Sequence, residues 1–122
     1  MSKSIMIIDD SASVRRLVGL TLRRANYTVL EGCDGQDALT QLIGQKIHLI
    51  ITDLNMPNLD GIGFLKAMKQ LSSYRFTPVI MLTTDGTEEK KRAGQAVGVR
   101  AWVVKPFEPD LLLDAVQKLC LP

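Results

Sequence analysis

Ser4-Ile-Met-Ile-Ile-Asp-Asp10 and His48-Leu-Ile-Ile-Thr-Asp53 decide the fold. Each is a short, continuous apolar run with no polar alternation, closed by acid. Strands buried on both faces of a parallel sheet look like this. Three further runs repeat the theme, and the five predicted strands are about 4–8, 28–32, 48–52, 78–83 and 101–104. Between them lie stripes at helical spacing: Val14, Leu17, Val18, Leu22 and Ala25; Ala38, Leu39, Leu42 and Ile43; Phe64, Leu65, Met68 and Leu71; Leu112, Ala115, Val116 and Leu119. Ser11 or Ser13 can cap the first helix and Asp34 the second. Gly44 and Gly98 fall where helices should end, and Pro109 suits the first turn of the last one. Five βα units without a linker predict an α/β, doubly wound sheet forming one domain over residues 1–122.

One segment fits poorly. From Thr87 to Val97 the apolar content is only Ala93, Ala96 and Val97. It reads either as a poor helix or as a weakly packed one that shifts or binds a partner.

Composition limits the function classes. The chain has 122 residues, 46% hydrophobic, a net charge of +2 and a pI of about 8.6. Its basic residues are dispersed, apart from Lys90-Lys-Arg92 behind Glu88-Glu89, which a solvated helix face explains. Without a basic stripe or a reading motif, nucleic acid is not expected as a partner. No stretch is long enough to span a membrane, and the N-terminal run is too short for a signal peptide. Cys33 and Cys120 have no metal-like spacing and read as reduced, partly buried thiols of a cytoplasmic protein.

In an open parallel sheet, ligands bind at the carboxyl ends of the strands. Asp9, Asp10, Asp53, Thr83 and Lys105 all fall there. Crowded carboxylates repel unless a cation offsets them. An all-oxygen donor set favours Mg²⁺ or Mn²⁺. Asp9 and Asp10 would hold that ion directly or through water, with the backbone carbonyl of Asn55 completing the sphere. Asp53, on the central strand, can attack phosphorus to form an aspartyl phosphate. Thr83 can donate to a phosphoryl oxygen, and Lys105 can neutralise another.

Other residues read more plainly. His48 sits at the far end of its strand, roughly 17 Å from Asp53 at strand rise. It is structural, so a phosphohistidine donor must come from another protein. Asp34-Gly35 is a turn and Asp60-Gly61 a turn with a helix start. Met6, Met56, Met68 and Met81 are packing residues. Trp102, the only tryptophan, lies on a terminal strand beside the weak segment.

Taken together, Ile8-Asp-Asp-Ser11, Asp53-Leu-Asn-Met-Pro-Asn-Leu-Asp-Gly61, Met81-Leu-Thr-Thr84 and Val104-Lys-Pro-Phe107 resemble the receiver domains of two-component response regulators. The likeness is greatest to stand-alone chemotaxis regulators of the CheY type. It covers essentially the whole chain, in order. It implies a flavodoxin-like sheet of strand order 2-1-3-4-5 with five helices. It also implies Asp53 as phospho-acceptor, Asp9, Asp10, Asp53 and the Asn55 carbonyl as the Mg²⁺ site, and Thr83 and Trp102 as switch residues. Lys105-Pro106 resembles the family's cis peptide. Two positions depart from the pattern. Trp102 stands where Tyr or Phe is usual, and Thr84 where a small residue is common. Asn55 and Asp85 occupy positions that tune phosphoryl lifetime in the family.

These residues predict a phosphorylation-dependent signalling switch, not an enzyme beyond its own phosphorylation and dephosphorylation. A histidine kinase would be the donor. Because the chain ends at Leu121-Pro122, output would be protein binding by a monomer, as to a flagellar motor component, or phosphate storage for another regulator. A Mg²⁺-dependent phosphohydrolase of the haloacid dehalogenase kind would carry a second Asp where Asn55 stands, and no cap domain is visible. An FMN carrier would want a Ser/Thr-rich loop after the first strand, where Asp9 and Asp10 would repel phosphate.

Overall fold

The computed structural model describes residues 3–120, so the terminal Leu121 and Pro122 lie outside the described residues. Five parallel strands form one sheet: β1 (Ser4–Ile8), β2 (Thr28–Gly32), β3 (Leu49–Thr52), β4 (Val79–Thr83) and β5 (Ala101–Val104). Their order is β2-β1-β3-β4-β5, as the resemblance implied. The predicted third and fourth strands each begin one residue late, because His48 and Pro78 precede the ladder. Proline has no N–H to give it.

Alternation along the continuous apolar strands feeds two cores. Ile5, Ile7, Leu49, Ile51, Ile80 and Leu82 point toward α1 (Ala12–Arg24) and α5 (Pro109–Leu119), meeting Val18, Leu22, Leu112 and Val116. Met6, Ile8, Ile50 and Val79 point the other way, toward α2 (Gly35–Leu42) and α3 (Gly61–Lys69). There they meet Leu42, Phe64, Leu65 and Met68. Each fully buried aliphatic side chain contributes roughly 1.5–3 kcal/mol of transfer free energy. This two-sided burial explains why β1, β3 and β4 lack polar alternation, whereas the edge strands β2 and β5 are only partly covered.

The helix ends follow local chemistry. Ser11, not Ser13, caps α1 by accepting from Val14 N, and Asp34 caps α2 by accepting from Asp37 N. Pro109 opens α5. Gly44 and Gly98 have φ of +80° and +97°, the left-handed region that glycine enters without strain. The doubtful segment is helical: α4 (Glu88–Ala96), capped by Thr87, buries only Gly94 completely.

Three expectations about burial need correction. Leu17 is 53% exposed and Ile43 is 62% exposed, although both fit a helical stripe. Leu17 borders an open apolar groove shared with Val14, Thr84, Pro106 and Phe107, and Ile43 lies past the last turn of α2. Cys33 is exposed, not partly buried, while Cys120 is buried.

His48 is structural in the expected way. Its Nδ1 accepts from Ser4 N at 3.0 Å, tying the start of β1 to the residue before β3. Met6, Met68 and Met81 are fully buried packing residues.

Gly61 is required by a close approach. A Cβ there would lie 2.3 Å from the carbonyl oxygen of Asp53. Gly61→Ala is therefore expected to lower stability by about 1–3 kcal/mol through forced backbone displacement, measured by urea denaturation.

Candidate functional site

Strand register assembles the site. Ile8 pairs with Thr52 across β1 and β3, so Asp9 and Asp53 leave the sheet side by side, and Asp53 N donates to Ile8 O at 2.8 Å. Thr83 pairs with Val104 across β4 and β5, so Lys105 emerges on the same edge. The Lys105 ammonium bridges the two acids. Its Nζ is 2.8 Å from Asp9 Oδ2 and 3.1 Å from Asp53 Oδ2. Asp9 and Asp53 are buried, whereas Asp10 is exposed. Oxygens of Asp9, Asp10 and Asp53 nevertheless lie within 4.8 Å of one another.

Each buried carboxylate is also aimed by backbone. Asp9 Oδ1 accepts from Ser11 N at 2.9 Å, and Asp53 Oδ1 accepts from Leu54 N at 2.7 Å. Burial pushes the Asp9 carboxyl above its ordinary 3.8, against the pull of the Lys105 ammonium and the Ser11 N–H. Burial alone would lower Lys105, but the hydrogen bond and charge of Asp9, with the charge of Asp53, outweigh it. Its net shift is upward from 10.5. The two shifts differ in origin: burial raises Asp9, whereas the neighbouring carboxylates raise Lys105. Three carboxylates against one ammonium leave two negative charges unbalanced. A hard divalent cation fits that donor set and that charge deficit.

Thr83 is fully buried at the end of β4, and its Oγ1 accepts from Asp85 N at 3.3 Å. Asp85 is a junction that the spacing of motifs did not reveal. Its Oδ1 accepts from Thr87 N at 3.0 Å and from the Thr87 hydroxyl at 2.8 Å. Those bonds hold its carboxyl below the ordinary range. Its carbonyl accepts from Trp102 Nε1 at 2.9 Å. A chain of hydrogen bonds thus runs from Thr83 through Asp85 to the indole and the cap of α4. Gly94 makes room for the indole, since a Cβ there would meet Trp102 Cζ3 at 2.7 Å.

Trp102 pairs with Met81, and its ring lies against Gly94 of α4. Thr84 is exposed and borders the groove beside Lys105. Asn55 is exposed, in the loop between β3 and α3. The Lys105–Pro106 peptide is cis. Arg15 is an addition to the sequence reading. Its Nη1 donates to the Asp9 carbonyl at 2.5 Å while its Nε pairs with Glu31 at 3.3 Å. No local pattern announces that contact.

This fold, with acids at the ends of β1 and β3 and a lysine after β5, defines a class of signalling domain. The response regulator receiver domain model matches residues 5–117, and the chain belongs to that family. It is 37% identical over 115 residues to the transcriptional regulatory protein ResD of Bacillus subtilis, spanning 94% of this chain but 47% of that one. It is therefore about half the length of that relative. It is 33% identical over 115 residues to the chemotaxis protein CheY1 of Helicobacter pylori, covering 93% of both chains. The chemotaxis response regulator CheY4 of Vibrio cholerae superposes with a TM-score of 0.92 at 42% identity, covering 98% of this chain and 99% of that one. The chain is thus a CheY-like receiver domain of two-component signalling. Among the described residues no helix is long and apolar enough to cross a membrane.

Two outcomes are expected here. Lys105→Met, measured in chelator, should cost about 2–4 kcal/mol near neutral pH, because it strands buried carboxylate charge. The deficit should shrink as pH falls through the carboxylate range. A carboxyl raised in the folded state loses least where it is protonated in both states. In the wild type, the raised Lys105 contributes stability below 10.5 that disappears as pH rises through its folded value. Second, Ala normally gains about 1 kcal/mol over Gly inside a helix. Gly94→Ala should instead destabilise, and should shift the emission of the only tryptophan, because its Cβ displaces the ring.

Proposed function

We propose that this chain is a phosphorylation-dependent switch that accepts a phosphoryl group on Asp53 from a partner histidine kinase. One observation carries the reading: a buried Asp53 carboxylate faces the buried Asp9, with Lys105 shared between them. A structural ion pair needs one acid for one base. The surplus of acid is explained by a divalent cation.

In this reading Asp9, Asp10, Asp53 and the Asn55 carbonyl hold Mg²⁺, which supplies charge neutralisation for the phosphoryl oxygens. Asp53 attacks phosphorus: an O–P bond forms, the N–P bond of the donor phosphohistidine breaks, and the imidazole leaves with that electron pair. Leu54 N keeps one carboxylate oxygen oriented. Lys105 exchanges its contact with Asp53 for a phosphoryl oxygen. Thr83 turns its hydroxyl toward another, and thereby releases Asp85 N. The chemistry ends at the protein's own phosphorylation and its reversal.

The added charge and acceptor oxygens bias a two-state element. That element is the segment from Thr83 to α4, where helix packing is thin and Trp102 depends on the Asp85 carbonyl. The output surface is α4, Trp102 and α5. Similarity to chemotaxis proteins along nearly their full length favours a chemotaxis kinase as donor and a flagellar motor component as target. On this proposal residues 1–122 are one receiver domain, acting as a cytoplasmic monomer without nucleic-acid or membrane contact.

Incubation with a radiolabelled small phosphodonor tests it. Wild type should label only with Mg²⁺ present, and Asp53→Ala should lose at least nine-tenths of the label. Labelling that survives in Asp53→Ala overturns the assignment.

A further inference from the structure

The loop between β3 and α3 begins at the proposed phospho-acceptor and carries Asn55. It has little packing of its own: Asn55, Pro57 and Asn58 are exposed, and only Met56 and Leu59 reach partly into the core. Its base is closed by Gly61 N donating to Leu54 O at 2.9 Å. Its far side is held by the turn before α2. Asn58 Nδ2 donates to Asp34 Oδ2 at 2.7 Å, and Gly35 N donates to Leu59 O at 3.0 Å. Asp34 is buried, and its other oxygen accepts from Asp37 N at 2.8 Å. One carboxylate therefore starts a helix and grips the neighbouring loop.

Two details show that this grip is built. Gly35 leaves no alternative, since a Cβ there would lie 2.6 Å from the Leu59 carbonyl oxygen. Asn58 has φ of +67°, a conformation that Asn tolerates better than most residues. In that conformation its amide donates to the Asp34 carboxylate. A hydrogen bond to an ionised acceptor is among the stronger kinds. Between the closed base and this clamp, Asn55 has few remaining backbone freedoms.

We infer that Asp34 and Asn58 are positioning residues for the divalent-ion site, fixing the loop so that the Asn55 carbonyl faces the acid pocket. The inference rests on the proposed role of Asn55. Groups one shell out from a metal orient its ligands, and removing them weakens binding without removing a ligand.

Calorimetric titration with MgCl₂ alone tests it, beside thermal unfolding in chelator. Asn58→Gly keeps the positive φ and deletes the amide. Asp34→Ser keeps a helix cap and deletes the grip. Each should weaken Mg²⁺ binding about three- to tenfold. The double variant should weaken it little further, because both remove one contact. Tyr74→Phe is the control. Its hydroxyl lies 2.6 Å from the Leu42 carbonyl and 2.7 Å from that of Gln45, at the amino end of the sheet. It should unfold at lower temperature with Mg²⁺ affinity unchanged. Folded Asn58→Gly and Asp34→Ser with wild-type affinity overturn the inference. So does an equal loss in Tyr74→Phe, or failure of both variants to fold. Wild-type protein that does not bind Mg²⁺ at all would instead overturn the underlying reading of the pocket.

Discussion

One ammonium shared between two buried carboxylates is the constraint on which the rest depends. Lys105 stands 2.8 Å from Asp9 and 3.1 Å from Asp53, and the exposed Asp10 adds a third negative charge nearby. Uncompensated charge in a low-dielectric edge is costly, and one lysine cannot balance three acids. The fold tolerates the imbalance because the strands beneath are buried on both faces. Backbone donors from Ser11 and Leu54 supply what the lysine cannot. A pocket so arranged favours a divalent cation and, with it, an incoming anionic group.

The same edge links outward through weaker structure. From Thr83 the hydrogen bonds pass to Asp85, and from Asp85 to Trp102 and Thr87. The helix they reach, α4, is the most polar of the five and carries a glycine where helix propensity argues against one. Local preference and global fold disagree there. Such disagreements gather at functional elements. In Gly94 the cause is visible, since the indole of Trp102 fills the space a side chain would need.

Much of the architecture was legible. The apolar runs ending in Asp9, Asp53 and Thr83 located three strands within a residue, because two-sided burial keeps charged residues out until the strand leaves the sheet. Helical spacing identified the inward faces, as at Leu22, Phe64 and Val116, but not their margins. Leu17 and Ile43 share the period of buried residues and remain exposed, since periodicity states which way a residue points, not whether another element covers it.

Asp9, Asp53 and Lys105 could be placed together from their order along the chain, because a parallel sheet brings strand ends to one edge whatever their separation. Asp34 gripping Asn58, Asp85 joining Thr83 to Trp102, and Gly94 yielding to the indole have no such signature. Each depends on two loops, or a helix and a strand, meeting at a particular distance. Asp34 looks like any helix cap until the second oxygen finds its partner 24 residues away. Residue type and periodicity report what a segment does to itself. Contacts across the sheet edge exist only once the layers have packed.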